Sequence, residues 1–194
     1  ELEQKLGKRI LTKSTGQELK RLLFEAAEAQ SEGKFELAAK RFRMARTFCF
    51  VTGYRQEQAM CAIAVGTAQF SCGRLDRAIE AYREGRALGV ELGAKALVMQ
   101  AEIGIATTYL TEKQYPLARE AYGRVFEAAD GLVPMQVEAL RMQAECLVAE
   151  QNMGAAIAKW REALARARQL APELRAATAE RVVAKRLQDF GVSA

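Results

Sequence analysis

Apolar residues recur along most of the chain at intervals of three and four positions, and polar residues fill the positions between them. That spacing is typical of α-helices with one buried face, whereas the alternation of a β-strand is almost missing. Turn residues divide the pattern into separate segments. We predict helices over about residues 17–31, 35–51, 57–72, 75–92, 95–111, 115–129, 135–150, 153–170 and 173–190.

An alanine followed four residues later by an aromatic ring occurs four times in these helices. The pairs are Ala38 and Phe42, Ala78 and Tyr82, Ala118 and Tyr122, and Ala156 and Trp160; below, the alanines are called the ladder alanines. Successive pairs are separated by 40, 40 and 38 residues, which is too long for a coiled-coil heptad and indicates an internal repeat. Each repeat therefore contains two of the predicted helices.

Small residues recur at two further positions of the repeat. Twelve residues before the ladder alanines stand Ala26, Gly66, Ala106 and Ala144, and seven residues after them stand Ala45, Gly85, Val125 and Ala163. Two helices whose axes are about 8 to 10 Å apart need small side chains where they cross and a larger ring beside the crossing. We therefore predict that each repeat is an antiparallel pair of helices.

This order of turn, alanine, aromatic ring and second small residue resembles the tetratricopeptide repeat. The first two copies carry it from Gly33 through Phe35, Ala38 and Phe42 to Ala45, and from Gly73 through Leu75, Ala78 and Tyr82 to Gly85. Lys113 replaces the turn glycine in the third copy and Gln151 in the fourth. The usual unit has about 34 residues, so the chain is similar to the long-helix variant found in kinesin light chains, spindle-orientation adaptors and some bacterial regulators.

The resemblance implies an all-α fold, a right-handed superhelix (α-solenoid) of four antiparallel helix pairs with a C-terminal capping helix. We expect a basic segment over residues 1–16 and a single domain over 17–194. Its repeats would cover about 17–55, 56–94, 95–133 and 134–171, and the cap 173–190. A terminal repeat must cover an otherwise exposed apolar face. The cap would do so with Val182, Val183, Leu187 and Phe190.

The composition argues against catalysis and against bound cofactors or metals. The chain has no histidine, which removes the commonest general base, the Ser-His-Asp and Cys-His arrangements and the histidine metal sites. The four cysteines, Cys49, Cys61, Cys72 and Cys146, have no CxxC spacing. We predict free, mostly buried thiols in a reducing, cytoplasmic location, with Cys72 the most reactive. No apolar run approaches the 18 or so residues of a membrane-spanning helix.

In proteins of the resembled family, partners bind the concave face formed by the first helix of each pair. Residues 15, 11 and 8 positions before the ladder alanines fall on these helices and are mostly apolar or small. The candidate partner-binding residues are Leu23, Ile63, Thr67, Phe70, Ile103, Thr107, Leu110, Arg141, Glu145 and Val148. The lysine, arginine and asparagine set of a carboxylate clamp is not present. Such a groove suits a peptide or helix with apolar anchors, although Ile63, Phe70, Ile103 and Leu110 could instead be buried between helices.

We therefore predict a non-enzymatic scaffold that binds another protein. Two alternatives stay open: a chaperone-like accessory of a secretion system that holds a hydrophobic export substrate, and the sensor part of a nucleic-acid-linked regulator. Residues 8–55 carry 11 Lys/Arg against 5 Asp/Glu, and residues 56–158 carry 9 against 13. Nucleic-acid binding is not expected, because no recognised nucleic-acid-binding motif accompanies the basic residues. The uneven charge leaves head-to-tail self-association as a further alternative.

Overall fold

The computed structural model describes residues 2–170 and 180–191, and within those ranges the chain forms nine α-helices and no strand. The helices are α1 (Leu2–Ser31), α2 (Phe35–Thr52), α3 (Arg55–Ser71), α4 (Leu75–Glu91), α5 (Lys95–Thr111), α6 (Tyr115–Ala128), α7 (Val133–Ala149), α8 (Met153–Ala167) and α9 (Glu180–Asp189). The predicted all-α class and the order of helix pairs are confirmed. Most predicted ends lie close to the observed ones because the turn residues mark them in the sequence.

The predicted start of the first helix is wrong. α1 begins at Leu2 and not near Gln17, so residues 2–16 are part of the same helix. No proline interrupts this stretch. Its two glycines, Gly7 and Gly16, lower helix propensity by about 1 kcal/mol each but leave every backbone hydrogen bond available.

The turns inside the four pairs share one geometry. Their central residues have positive φ: 72° at Gly33, 71° at Gly73, 59° at Lys113 and 61° at Gln151. The following amide donates to a carbonyl five residues earlier, from Lys34 to Ala29 (2.9 Å), Arg74 to Gln69 (3.0 Å), Gln114 to Tyr109 (2.9 Å) and Asn152 to Leu147 (2.8 Å). This is the Schellman arrangement that closes a helix. The turn geometry therefore recurs at the repeat spacing, including the two places where another residue replaces glycine.

Contacts group the chain into two compact units, Glu1–Leu97 and Val98–Ala194. In the first unit α1 packs on α2, α2 on α3 and α3 on α4. Alanine dominates the core between these helices. The buried residues of this core form two clusters, one of Ala26, Ala29, Ala38, Ala39, Phe42, Val65, Ala68 and Ala81, and one of Leu19, Leu22, Ala45, Cys49 and Cys61.

Two glycines show how closely α3 and α4 pack. A Cβ atom on Gly66 would lie 2.6 Å from Cδ1 of Tyr82, and one on Gly85 would lie 2.5 Å from Cγ1 of Ile63. Both distances are far shorter than a carbon–carbon contact allows. The two glycines predicted at the crossing of α3 and α4 are thus required there by space.

In the second unit α6 packs on α7, α7 on α8 and α9 on α8. Trp160 is fully buried, and its ring stacks on Phe190 with centroids 5.5 Å apart and an interplanar angle of 19°. Val183 and Leu187 of α9 are also fully buried in this core, whereas Val182 is 50% exposed. This packing is consistent with a capping role of the last helix. Its buried apolar stripe is narrower than predicted, because Val182 is not part of it. Its predicted beginning at 173 lies outside the described residues, and the single domain and repeat limits stay predictions.

Candidate functional site

The candidate residues lie on the first helix of each pair, α1 and α3 in the first unit and α5 and α7 in the second. Eight residues before each ladder alanine, close to the turn, stand Gln30, Phe70, Leu110 and Val148. All four side chains are half-buried. Three members of this row, Phe70, Leu110 and Val148, are large apolar side chains that keep an accessible part, Phe70 in the first unit and the other two in the second.

The row fifteen residues before the ladder alanines is less uniform. Ile63 is only 3% exposed and lies against Gly85, so it belongs to the packing of α3 on α4. Leu23 and Ile103 are half-buried. The alternative that some of these residues are buried between helices therefore applies to Ile63, which offers little surface to a partner.

Two of the candidate threonines hold the rings of the paired helices. In the first unit the Tyr82 hydroxyl donates to Oγ1 of Thr67 at 3.2 Å, and Thr67 donates in turn to the Ile63 carbonyl at 3.2 Å. In the second unit a side-chain hydrogen bond joins Tyr122 and Thr107, which stand at the same two repeat positions. Burial raises the pKa of both phenols above the ordinary value, so they stay protonated at neutral pH. These threonines support the scaffold as well as the surface.

Two candidate residues of the fourth repeat carry charge. Arg141 donates to Glu138 at 2.5 Å, and this carboxylate raises the pKa of the guanidinium. Glu145 accepts from Arg186 of the capping helix at 3.1 Å and lies 3.9 Å from Arg141. Arg141 and Glu145 are thus engaged within their own unit, and a partner would compete with these ion pairs.

The repeat positions did not predict a groove that lies between α1 and α2. Most of its lining residues belong to α2 and stand outside the predicted partner-binding rows. It encloses about 620 Å³. Its lining consists of Glu18, Arg21, Leu22, Lys40, Arg43, Met44, Thr47, Phe48 and Val51. The sequence signal that could have found it is the apolar set 44, 48 and 51, which lies on a different face of α2 from Ala38, Phe42 and Ala45.

The structure adds little chemistry that could support catalysis. Across residues 2–170 and 180–191 no three His, Cys, Asp or Glu side chains form a group that could hold a metal ion. Cys49, Cys61 and Cys146 are buried free thiols, and Cys72 is half-buried. Burial raises the pKa of Cys61 to about 12 and that of Cys146 to about 11, so these thiols stay protonated at neutral pH. None of the described helices combines the length and hydropathy needed to cross a membrane.

No protein-family profile and no curated protein matches the sequence. Solved structures match the fold. The apo form of RapI gives a TM-score of 0.69 at 14% identity over 79% of this chain, which spans 57% of RapI. BtubC (BKLC) from P. vanneervenii gives 0.68 at 16% identity over 91% of this chain and 76% of BtubC. A putative kinesin light chain from Podosopora anserina, with nearly identical TPR-like repeats, gives 0.66 at 15% identity over 90% and 87%. The chain therefore has the all-α fold of TPR-like repeat proteins.

Proposed function

We propose that this TPR-like chain is a non-enzymatic scaffold that binds a segment of a partner protein, an extended peptide or an amphipathic helix, on the first-helix face. Each unit has its own first-helix face, which consists of the accessible candidate residues of α1 and α3 in the first unit and of α5 and α7 in the second. Repeat folds ordinarily present such surfaces for binding. The proposal leaves out Ile63, because it is buried.

The observation that carries the proposal is the row close to the turns. Phe70 in the first unit, and Leu110 and Val148 in the second, are large apolar side chains that remain half-buried at one repeat position. A side chain that served only the core would be covered as fully as Ile105 or Leu140. Covering the exposed part of each would yield about 25 cal/mol per Å² of apolar surface.

The test is capture from the native source with variants Phe70→Glu and Leu110→Glu, each followed by quantitative mass spectrometry. A carboxylate placed in an apolar contact should reduce recovery of the partner at least tenfold, which corresponds to about 1.4 kcal/mol. The matched control is Met60→Glu on α3, where the side chain is 52% exposed and outside the predicted rows. Its partner recovery should equal that of the wild type.

Two results would contradict the proposal. One is unchanged recovery of the same partner by both Phe70→Glu and Leu110→Glu. The other is loss of helicity in both variants by circular dichroism, which would show that the row is core. Salt-sensitive binding to generic DNA that survives both substitutions would favour the nucleic-acid alternative instead.

A further inference from the structure

The groove between α1 and α2 presents an apolar face that the repeat leaves without a neighbour. On α2, the residues Ala38, Phe42 and Cys49 point into the packing against α1 and α3 and are buried. Met44 and Val51 lie on the opposite side of the helix and are 44% and 77% exposed. Apolar side chains that are this exposed in a groove indicate a binding site for a partner.

At the last helix pair, by contrast, a further helix covers the apolar surface. Val183 and Leu187 of α9 are fully buried against α7 and α8. At the first pair, no described segment covers the face that carries Met44 and Val51. Since each pair in a repeat array buries its face against the next element, an additional helix is the element that this groove lacks.

The dimensions of the groove suit a helix of about three turns. Its lining residues on α2 run from Lys40 to Val51, a rise of about 16 Å at 1.5 Å per residue. Two antiparallel helices leave a furrow between them into which the side chains of a third can pack. Such a helix would place apolar residues at positions i, i+3 or i+4, and i+7 against Leu22, Met44 and Phe48.

The charge at the edge of the groove selects the partner. Glu18 and Arg21 pair with each other at 2.5 Å, which leaves that edge neutral. Lys40 and Arg43 have no ion-pair partner among the described residues. Arg43 also lines an adjoining cleft of about 300 Å³ that contains Arg77 and Glu80. The unpaired side chains at this edge are thus mainly cations, and they favour carboxylates on the bound helix.

We propose that this groove binds an amphipathic helix of another protein whose apolar stripe is flanked by glutamates or aspartates. A second copy of this chain is a poor occupant, because its own groove is basic. The exposed back of its α9 carries Arg181 and Lys185 and would also bring like charge. The surface is separate from the first-helix face, since none of the ten candidate residues lines it.

Two synthetic helical peptides test the proposal on the full chain by fluorescence anisotropy. Both have leucines at the same heptad positions, and their flanking positions hold glutamates in one and lysines in the other. The acidic peptide should bind at least tenfold more tightly at low salt, and the difference should shrink as salt screens the charges. Met44→Glu should lower the affinity for the acidic peptide at least fivefold, whereas Met60→Glu and Phe70→Glu should leave that affinity unchanged.

A double reversal, Lys40→Glu with Arg43→Glu, keeps the test independent of the apolar variant. Both side chains are exposed, so the fold is expected to persist, and the preference should move to the lysine peptide. Equal affinity for both peptides, or an acidic peptide insensitive to both Met44→Glu and the reversal, would overturn the proposal. So would sedimentation that shows a dimer of the wild type which Met44→Glu dissociates, because a second copy would then occupy the groove.

Discussion

Small side chains at the helix crossings control how closely the helices of each pair approach. At Gly85 an added Cβ would meet Ile63 Cγ1 at 2.5 Å and the backbone carbonyl oxygen of Ala59 at 3.2 Å. The carbonyl cannot rotate away as a flexible side chain can. At Gly123, in α6, the nearest atom would be Nε2 of Gln143 at 3.7 Å, an ordinary contact.

We expect opposite effects from the same substitution at these two glycines. Gly85→Ala should lower the free energy of unfolding by about 1–3 kcal/mol, because the crossing has no room for a methyl group. Gly123→Ala should raise it by about 0.5–1 kcal/mol, because alanine is the better helix former. Urea unfolding measures both. A stabilising Gly85→Ala, or two equal changes, would contradict the packing described for α3 and α4.

In two repeats the ring hydroxyl is bonded to the residue that faces it on the first helix. Tyr82 and Tyr122 each bond a threonine that lies eleven residues before the ladder alanine. Phe42 has no hydroxyl, and alanine occupies that position in its repeat. Trp160 is buried, and its Nε1 has no hydrogen-bond partner in the part of the chain that the structure describes. A buried hydroxyl ordinarily needs a hydrogen-bond partner. The contacts of the two tyrosines with the two threonines could therefore have been predicted from the sequence.

At the scale of the elements, four similar turns join the helices of the pairs, and two of them are strained. Lys113 and Gln151 adopt φ of 59° and 61°, in the left-handed region where a Cβ atom crowds the following carbonyl. Gly33 and Gly73 occupy the same position without that cost. The first and second pairs therefore close with less strain than the third and the fourth.

Restoring the glycine should stabilise the later turns. Lys113→Gly and Gln151→Gly should each raise the free energy of unfolding by about 0.5–1 kcal/mol, the relief of strain being partly offset by the greater freedom of glycine in the unfolded chain. Gly73→Ala serves as the reverse control and should destabilise by about 1–2 kcal/mol. Thermal melts of the three variants check this. Loss of stability in both restored turns would show that their positive φ carries no strain.

The two ends of the array differ in how their apolar faces are covered. α9 buries Val183 and Leu187, and Arg186 adds an ion pair with Glu145 at its edge. An exposed pair of this kind contributes at most about 1 kcal/mol, so burial holds the helix. The first pair has the groove with Met44 and Val51 at the corresponding place.

For the whole molecule, the sequence predicted the helices and their register because helix periodicity and turn residues are local signals. It did not predict that α1 begins at Leu2, although residues 2–16 contain no proline that would stop a helix. The rows were placed on the correct helices, yet the burial of Ile63 depends on Gly85, which is a contact between two helices. The α1–α2 groove was missed because a repeat pattern does not show which face lacks a neighbour.

The central claim is that the partner captured from the native source binds the first-helix face. Hydroxyl-radical footprinting of the chain with its captured partner tests it side chain by side chain. Phe70 and Leu110 should be oxidised less in the complex than in the free chain. Phe50 of α2 and Val90 of α4, which are 66% and 64% exposed, should be oxidised equally in both. Unchanged oxidation of Phe70 and Leu110, with protection only at Phe50 or Val90, would contradict the claim.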